Sequence, residues 1–295
     1  MITVLLSTYN GERYLREQID SILNQQDVDI QLLVRDDGSK DGTLDILEDY
    51  QRKGLLTYYS GENLGPQRAF MQMLKDAPES DFYAFADQDD FWKPEKLKTA
   101  EQSLIKGDAE LYYCQTELVD ENLQTLPHQI PIHPYGTFPE ALIYKFIGGC
   151  TMVMTKKLRD KMNLYVPDYL SMHDVWVYSV ALALGYKVIF DPVPHILYRQ
   201  HSSNVLGQGQ SRLKIWKQRW QRFTSSESER YKSALEIQKG FATMMPDDTK
   251  RQLDDFIKAK KSLKTRMRLL FSKEFSCASK PIDRFFRINL IFNTF

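Results

Sequence analysis

From residue 2 to residue 107, short apolar runs alternate with segments of helical period. That alternation restricts this part of the chain to βαβ units and a mostly parallel sheet, because periods of 2 and 3.6 cannot be satisfied by one element type. Residues 2–6, 30–34, 55–59 and 82–86 read as strands. Leu15, Ile19, Ile22 and Leu23 share one helical face between the first two strands. Residues 43–52 read as a helix entered through Ser39 or Asp41 as N-cap and left at Gly54. A further helix follows Pro66, and Pro94 suits the first turn of another that runs to Gly107.

A polar group follows each strand at once: Thr8-Tyr9-Asn10, Asp36-Asp37-Gly38-Ser39, Asn63-Leu64-Gly65 and Asp87-Gln88-Asp89-Asp90. All four therefore lie on the carboxyl edge of one sheet. Open parallel sheets bind ligands there, because the loops converge and helix N-termini point at the same crevice.

Composition narrows the class. Lys plus Arg and Asp plus Glu both total 39, so no net field draws the molecule to nucleic acid or to a membrane, and any such attraction must be local. Cys114, Cys150 and Cys277 are an odd number without a CxxC pair, which argues against disulfides or structural zinc and suits a reducing cytoplasm. Residues 1–7 enter an apolar run directly, without the regions of a signal peptide, and no spanning-length apolar stretch occurs. The expectation is a soluble or peripheral protein.

Beyond residue 110 the pattern loosens around Pro127, Pro131, Pro134 and Pro139, then turns apolar again at 146–154 and 175–184. From about Ser211 it becomes helical and polar, with Trp216 and Trp220 four apart. The expected division is a catalytic domain at 1–207 and a basic helical region at 208–295, with the boundary in 204–210.

Neither GxGxxG nor GxxxxGK[ST] occurs, so dehydrogenase and P-loop readings lose support. What remains is an acidic crevice, which accepts a phosphorylated ligand only through a screening cation. Asp87 and Asp89 occupy alternate positions at a strand end, a spacing that suits Mg²⁺ or Mn²⁺ bridging to phosphate oxygens. The alternative is that these acids cap the helix at Pro94. Asp36-Asp37-Gly38-Ser39 reads as a turn with Gly38 at positive φ, and a carboxylate there beside Tyr9 can accept the N3–H of a stacked pyrimidine.

In their order and on these elements, Ser7-Thr8-Tyr9-Asn10, Asp36-Asp37-Gly38-Ser39 and Asp87-Gln88-Asp89-Asp90 resemble the inverting glycosyltransferases of family 2, which have the GT-A fold. The resemblance extends over residues 1–207. Gly148-Gly149-Cys150-Thr151-Met152, His173-Asp174-Val175-Trp176 and Tyr198-Arg199-Gln200-His201 resemble the bacterial rhamnosyltransferase branch that builds cell-wall and capsular polysaccharides. It implies a nucleotide-sugar half at 1–110 and an acceptor half at 111–207. It also implies a metal-dependent hexosyltransferase that uses a dTDP- or UDP-linked sugar and a lipid-linked glycan acceptor.

Residue by residue, the resemblance implies that Ser7, Tyr9 and Asp37 hold the pyrimidine, that Asp87 contacts ribose or metal, and that Asp89 ligates the metal. Asp174 matches the catalytic base. An inverting transferase needs one, because a carboxylate must take the proton of the attacking hydroxyl. An N-cap at the head of 175–184 is the alternative for Asp174. His173 stands where the family more often has Glu, and with Gly149, Cys150 and Trp176 it is assigned to an acceptor pocket. His201 is a second metal ligand, and Arg199 and Arg68 are phosphate-neutralising candidates. His128, His133 and His195 sit beside prolines and receive no role.

Basic residues outnumber acidic ones across 250–287, and the stretch ends in Arg284-Phe285-Phe286-Arg287-Ile288-Asn289-Leu290-Ile291-Phe292. Such a segment can lie on an anionic membrane, or pack on the catalytic domain or another subunit of an oligomer. Two rivals to the transferase are a nucleotidyltransferase, whose lysine-bearing phosphate loop 7–11 lacks, and an inactive sugar-nucleotide-binding module, which joint retention of Asp87, Asp89 and Asp174 disfavours.

Overall fold

The four expected strands are present in the computed structural model as β1 (Ile2–Thr8), β2 (Ile30–Asp36), β3 (Thr57–Ser60) and β4 (Phe82–Ala86). The structure describes residues 1–129, 132, 134, 136–144, 147–201 and 229–295. β1 runs parallel between β2 and β4, with Ile2 opposite both Ile30 and Phe82. Its unbroken apolar run suits that place, since a central parallel strand is covered on both faces. Ile2, Val4, Leu5 and Leu6 are accordingly buried.

Four more strands, β5 (Phe91–Trp92), β6 (Leu111–Val119), β7 (Val153–Thr155) and β8 (Val188–Arg199), complete one mixed, mostly parallel sheet. Its order is β3-β2-β1-β4-β7-β6-β8-β5. β7 is antiparallel to both β4 and β6, and β8 is parallel to β6 with register shifts around Gln115. The β8 pairing matters for the site, because it carries Arg199 and His201 back to the end of β4.

Helices cover both faces. On one side α1 (Leu15–Leu23), α2 (Thr43–Arg52) and a helix at Lys96–Gly107 pack Ile19, Leu47 and Leu97 against Val4 and Leu6. On the other, α3 (Gly65–Asp76) sets Phe70 and Met73 against Leu5 and Phe85. The Lys96–Gly107 helix, α4, starts two residues beyond Pro94. α5 (Phe138–Ile143), α6 (Lys156–Met162) and α7 (His173–Ala183) follow, and every residue of α7 is buried.

The C-terminal helices α8 (Glu229–Phe241), α9 (Asp247–Ala259), α10 (Leu263–Phe271) and α11 (Lys280–Phe292) have no core of their own. Ala234, Phe241, Leu253, Phe256, Phe286 and Leu290 join the apolar cluster that holds Val177 and Val180 of α7. The C-terminal region is thus a further layer on the α7 face. The expected boundary at 204–210 and Trp216 and Trp220 lie outside the described residues, as do Pro131, His133 and Phe146. Among the described residues no helix is long and apolar enough to cross a membrane.

Candidate active site

The four polar loops meet at the carboxyl edge of the parallel strands, and side-chain bonds lock them to one another. Gln88, which stands between Asp87 and Asp89 and received no role from the sequence, does the first locking. Its Oε1 accepts the Thr8 hydroxyl at 2.6 Å and the Tyr9 amide at 2.9 Å, and its Nε2 donates to the Tyr9 carbonyl at 3.2 Å. Gly11 permits this approach, for a Cβ there would lie 2.3 Å from Gln88 Oε1. The Asn10 amide then donates to Ser39 Oγ and its Oδ1 accepts the Lys40 amide, tying the first loop to the second.

Asp36 and Asp37 divide their work. Asp36 accepts the amides of Gly38 and Ser39 and the Ser60 hydroxyl, which holds the turn in which Gly38 takes φ +87. Asp37 is buried, pairs with Arg35 and accepts the amides of Leu64 and Gly65. Asp37 therefore builds the third loop, its two oxygens accepting from Arg35, Leu64 and Gly65. Ser7 is half-buried near the end of β1, and Tyr9 stands 45% exposed beside the turn.

The chain leaves β4 at Ala86 and turns at Gln88–Asp89, so the strand alternation expected to align Asp87 with Asp89 is absent. Asp87 instead faces Asp90 and Cys150, the three presenting ligand atoms within 4.8 Å of one another. Asp89 turns to His201, whose Nε2 lies 2.8 Å from Asp89 Oδ2. The acids still feel each other. Burial, then the Asp89 and Asp174 carboxylates, push Asp87 up to about 7, and burial with Asp89 and Asp87 lifts Asp90 well above the carboxylate range.

A buried acidic cluster of this kind fits a hard divalent cation. Asp90 Oδ2 is buried with no hydrogen-bond partner for that atom among the described residues, and carboxylates with an imidazole form the donor set that Mg²⁺ or Mn²⁺ accepts. Burial raises the Cys150 thiol well above its ordinary value, so it stays protonated beneath Asp87 and Asp90 and is no ligand for a hard ion. Lys96, also buried, places its ammonium 3.5 Å from the Trp92 ring centroid, and its charge reaches Cys150 and Asp90. Burial pushes it down to about 8. A lysine beside the apolar face Leu97, Ala100 and Leu104 was the sequence signal for it.

Asp174 is the second residue of α7, which starts two residues before the expected 175, and Met172 takes the N-cap position. Its carboxylate accepts the Val175 amide at 2.6 Å and the Gly149 amide at 3.1 Å. Burial lifts it to about 6, against the ordinary 3.8, although both amides oppose the rise. Gly149 opens the short 3₁₀ turn Gly149–Thr151, which puts its N–H under Asp174 and Cys150 under the acidic turn. That is the structural sense of the Gly-Gly-Cys-Thr motif.

Four expectations are corrected. His173, Cys150 and Trp176 present almost no surface and do not line an acceptor pocket. His173 stacks on Phe70 at 4.1 Å and meets Phe85 edge-on, and burial drives it down to about 3, so it is a neutral core residue. Trp176 packs between Tyr165 and Phe241, fastening α7 to α8. Arg199 is 2% exposed, with its guanidinium turned onto protein groups and not toward an open crevice. Its guanidinium donates to the Asp89 carbonyl at 2.9 Å and to the Glu121 carbonyl, pairs with Glu17 and covers the Tyr14 ring at 4.5 Å. The same Tyr14 ring lies against His201 at 5.2 Å. Arg199 therefore clamps the acidic turn in place. Arg68 is exposed on α3 and donates through Nη2 to the Asp168 carbonyl.

With this geometry in view, comparison with known proteins decides the family. The model of glycosyl transferase family 2 matches residues 3–162. The chain belongs to this family. A dTDP-rhamnosyl transferase of Shigella flexneri, RfbG, is 29% identical over 248 residues, covering 74% of this chain and 81% of its relative. A putative teichuronic acid biosynthesis glycosyltransferase of Bacillus subtilis, TuaG, is 24% identical over 63% of the chain and 73% of its own length. Among solved structures, S. aureus TarS 1-349 in complex with UDP-GlcNAc matches with a TM-score of 0.61 at 19% identity, over 99% of this chain and 80% of that one. The mannosyltransferase PcManGT of Pyrobaculum calidifontis, in complex with GDP-Man and Mn²⁺, matches with a TM-score of 0.55 at 18% identity, over 100% and 80%. The protein is thus a glycosyltransferase with a GT-A-like fold.

Proposed function

We propose that this glycosyltransferase moves L-rhamnose from dTDP-rhamnose to a lipid-linked polysaccharide acceptor at the inner membrane face, with inversion at the anomeric carbon. The observation that carries the reaction class is that the Gly149–Thr151 turn joins Asp174 to the acidic turn, its Gly149 amide on the Asp174 carboxylate and its Cys150 within 4.8 Å of Asp87 and Asp90. The similarity to the S. flexneri dTDP-rhamnosyl transferase supports the donor.

Ser7, Tyr9 and Asp37 hold the pyrimidine, the ring stacking on the exposed tyrosine beside the turn that Asp37 builds. Asp89, Asp87 and His201 would hold Mn²⁺ or Mg²⁺, which supplies charge neutralisation for the departing diphosphate. The acceptor oxygen bonds to the anomeric carbon as the bond to the diphosphate oxygen breaks, and the hydroxyl proton passes to Asp174. A carboxylate at about 6 is a stronger base than one at 3.8 and is still mostly ionised at neutral pH.

The test is a donor screen that follows nucleoside diphosphate release from dTDP-, UDP- and GDP-sugars. Release from dTDP-rhamnose above all others is expected. The second reading, a UDP-linked galactose, glucose or N-acetylglucosamine donor, is supported by the shared fold of the TarS complex and replaces the first if UDP-sugars alone react.

A further inference from the structure

α10 and α11 lie antiparallel. Lys260, just before α10, donates to the carbonyls of Asn293 and Phe295 at the end of α11. Arg287 of α11 donates to the carbonyls of Leu269 and Ser272 at the end of α10. Each helix buries one face, Thr265 and Leu269 on α10 and Phe286, Asn289 and Leu290 on α11. Phe286 and Phe295 both pack on Phe256 of α9, so the inward apolar requirement of the pair is met.

The outward faces are nevertheless apolar. Leu263, Met267 and Phe271 recur at every fourth position of α10 and are 63%, 42% and 77% exposed. Ile288, Ile291 and Phe292 on α11 are 43%, 60% and 66% exposed. Six large apolar side chains on one helix pair exceed the scattered exposure of an ordinary surface.

Charge says what covers them. Residues 263–292 contain seven bases (Lys264, Arg266, Arg268, Lys273, Lys280, Arg284, Arg287) and two acids, although the whole chain is balanced at 39 and 39. Both acids are engaged, Glu274 with Arg251 and Asp283 with Arg287. Arg268 is shared with Asp255, whereas exposed Lys264 and Arg284 have no ion pair among the described residues. A second copy of this face would set its cations against their own kind. An anionic bilayer offers negative headgroups at the rim and an apolar interior for the six side chains.

We propose that the outward face of α10 and α11 docks the enzyme on anionic membrane. The proposal gives a purpose to the reading that the acceptor is lipid-linked and rests on it there, but its test uses no nucleotide sugar. Truncating the chain near Pro281 would strip Phe286, Leu290 and Phe295 from the core, so point variants are the right probe.

The full chain is sedimented at low salt with vesicles of phosphatidylcholine and phosphatidylglycerol, or of phosphatidylcholine alone. Binding to the anionic vesicles only, weakened by salt, is expected. One variant carries Ile288→Ser, Ile291→Ser and Phe292→Ser, and another carries Lys264→Gln and Arg284→Gln. Each should lose about tenfold or more of its vesicle partition while keeping its melting temperature and its diphosphate release in solution. Wild-type protein that ignores anionic vesicles, or variants that partition like wild type, would overturn the proposal. So would a serine variant that converts a dimer to a monomer, which would make the face a protein interface. Failure of the donor screen would leave the vesicle result standing, and the reverse.

Discussion

Replacing Asp174 with asparagine separates a base from a purely structural acceptor of the Gly149 and Val175 amides, because the two roles respond in opposite directions. Burial lifts the carboxyl to about 6 from 3.8, so its ionised form carries a penalty on the order of 3 kcal/mol in the folded state. Asparagine removes the charge. It also leaves one acceptor oxygen for the two amides of Gly149 and Val175, which costs about 1 kcal/mol. The variant should therefore gain roughly 2 kcal/mol at pH 8, or about 3 °C in melting temperature for a chain of this length. The sign follows from the raised folded value. Wild type has its full stability from this group below the unfolded value and loses it as pH rises through about 6. The advantage of asparagine should thus shrink as pH falls from 8 and reverse near 4. Melting curves in EDTA at both pH values measure this, with donor binding by calorimetry and transfer rate alongside. Binding should persist while transfer falls about a hundredfold or more. A variant that melts lower at pH 8 and transfers normally per bound donor would refute the reasoning and leave Asp174 a structural residue.

Asp89→Asn should weaken Mn²⁺ binding about tenfold or more by electron paramagnetic resonance, and EDTA should silence wild type until Mn²⁺ or Mg²⁺ returns. Undiminished Mn²⁺ affinity would remove Asp89 from the ligand set. Arg199→Lys cannot span the Asp89 carbonyl, the Glu121 carbonyl and Glu17, so Mn²⁺ affinity should drop severalfold while nucleotide affinity in EDTA holds. A fall in nucleotide affinity instead would return Arg199 to the phosphate. Tyr9→Ala should raise the donor KM at least about fivefold, since stacking of a base on an aromatic ring is worth about 1–3 kcal/mol. An unchanged KM would place the base elsewhere.

Much of the molecule was legible in the sequence. The four strands of the first half, the helix at Thr43–Arg52 and the gathering of four polar loops on one edge follow from periodicity and turn chemistry, which are local. The ordered motifs pointed to family 2 for the same reason, since each lies within a few residues of its strand. What the polar side chains touch was not local. Arg199 looked like a free cation in Tyr-Arg-Gln-His, yet it meets Asp89 from 110 residues away and Glu17 from 182. Gln88 received no role from the sequence, yet the first loop closes on it from 79 residues away. His173 and Trp176 carry polar atoms suited to a pocket, but α7 is sandwiched between the sheet and α8, and burial makes them core. Sequence spacing determines which residues reach the edge of the sheet. Only the tertiary structure decides which remain free to meet a ligand, because hydrogen-bond partners are set by strands and helices brought together from distant parts of the chain.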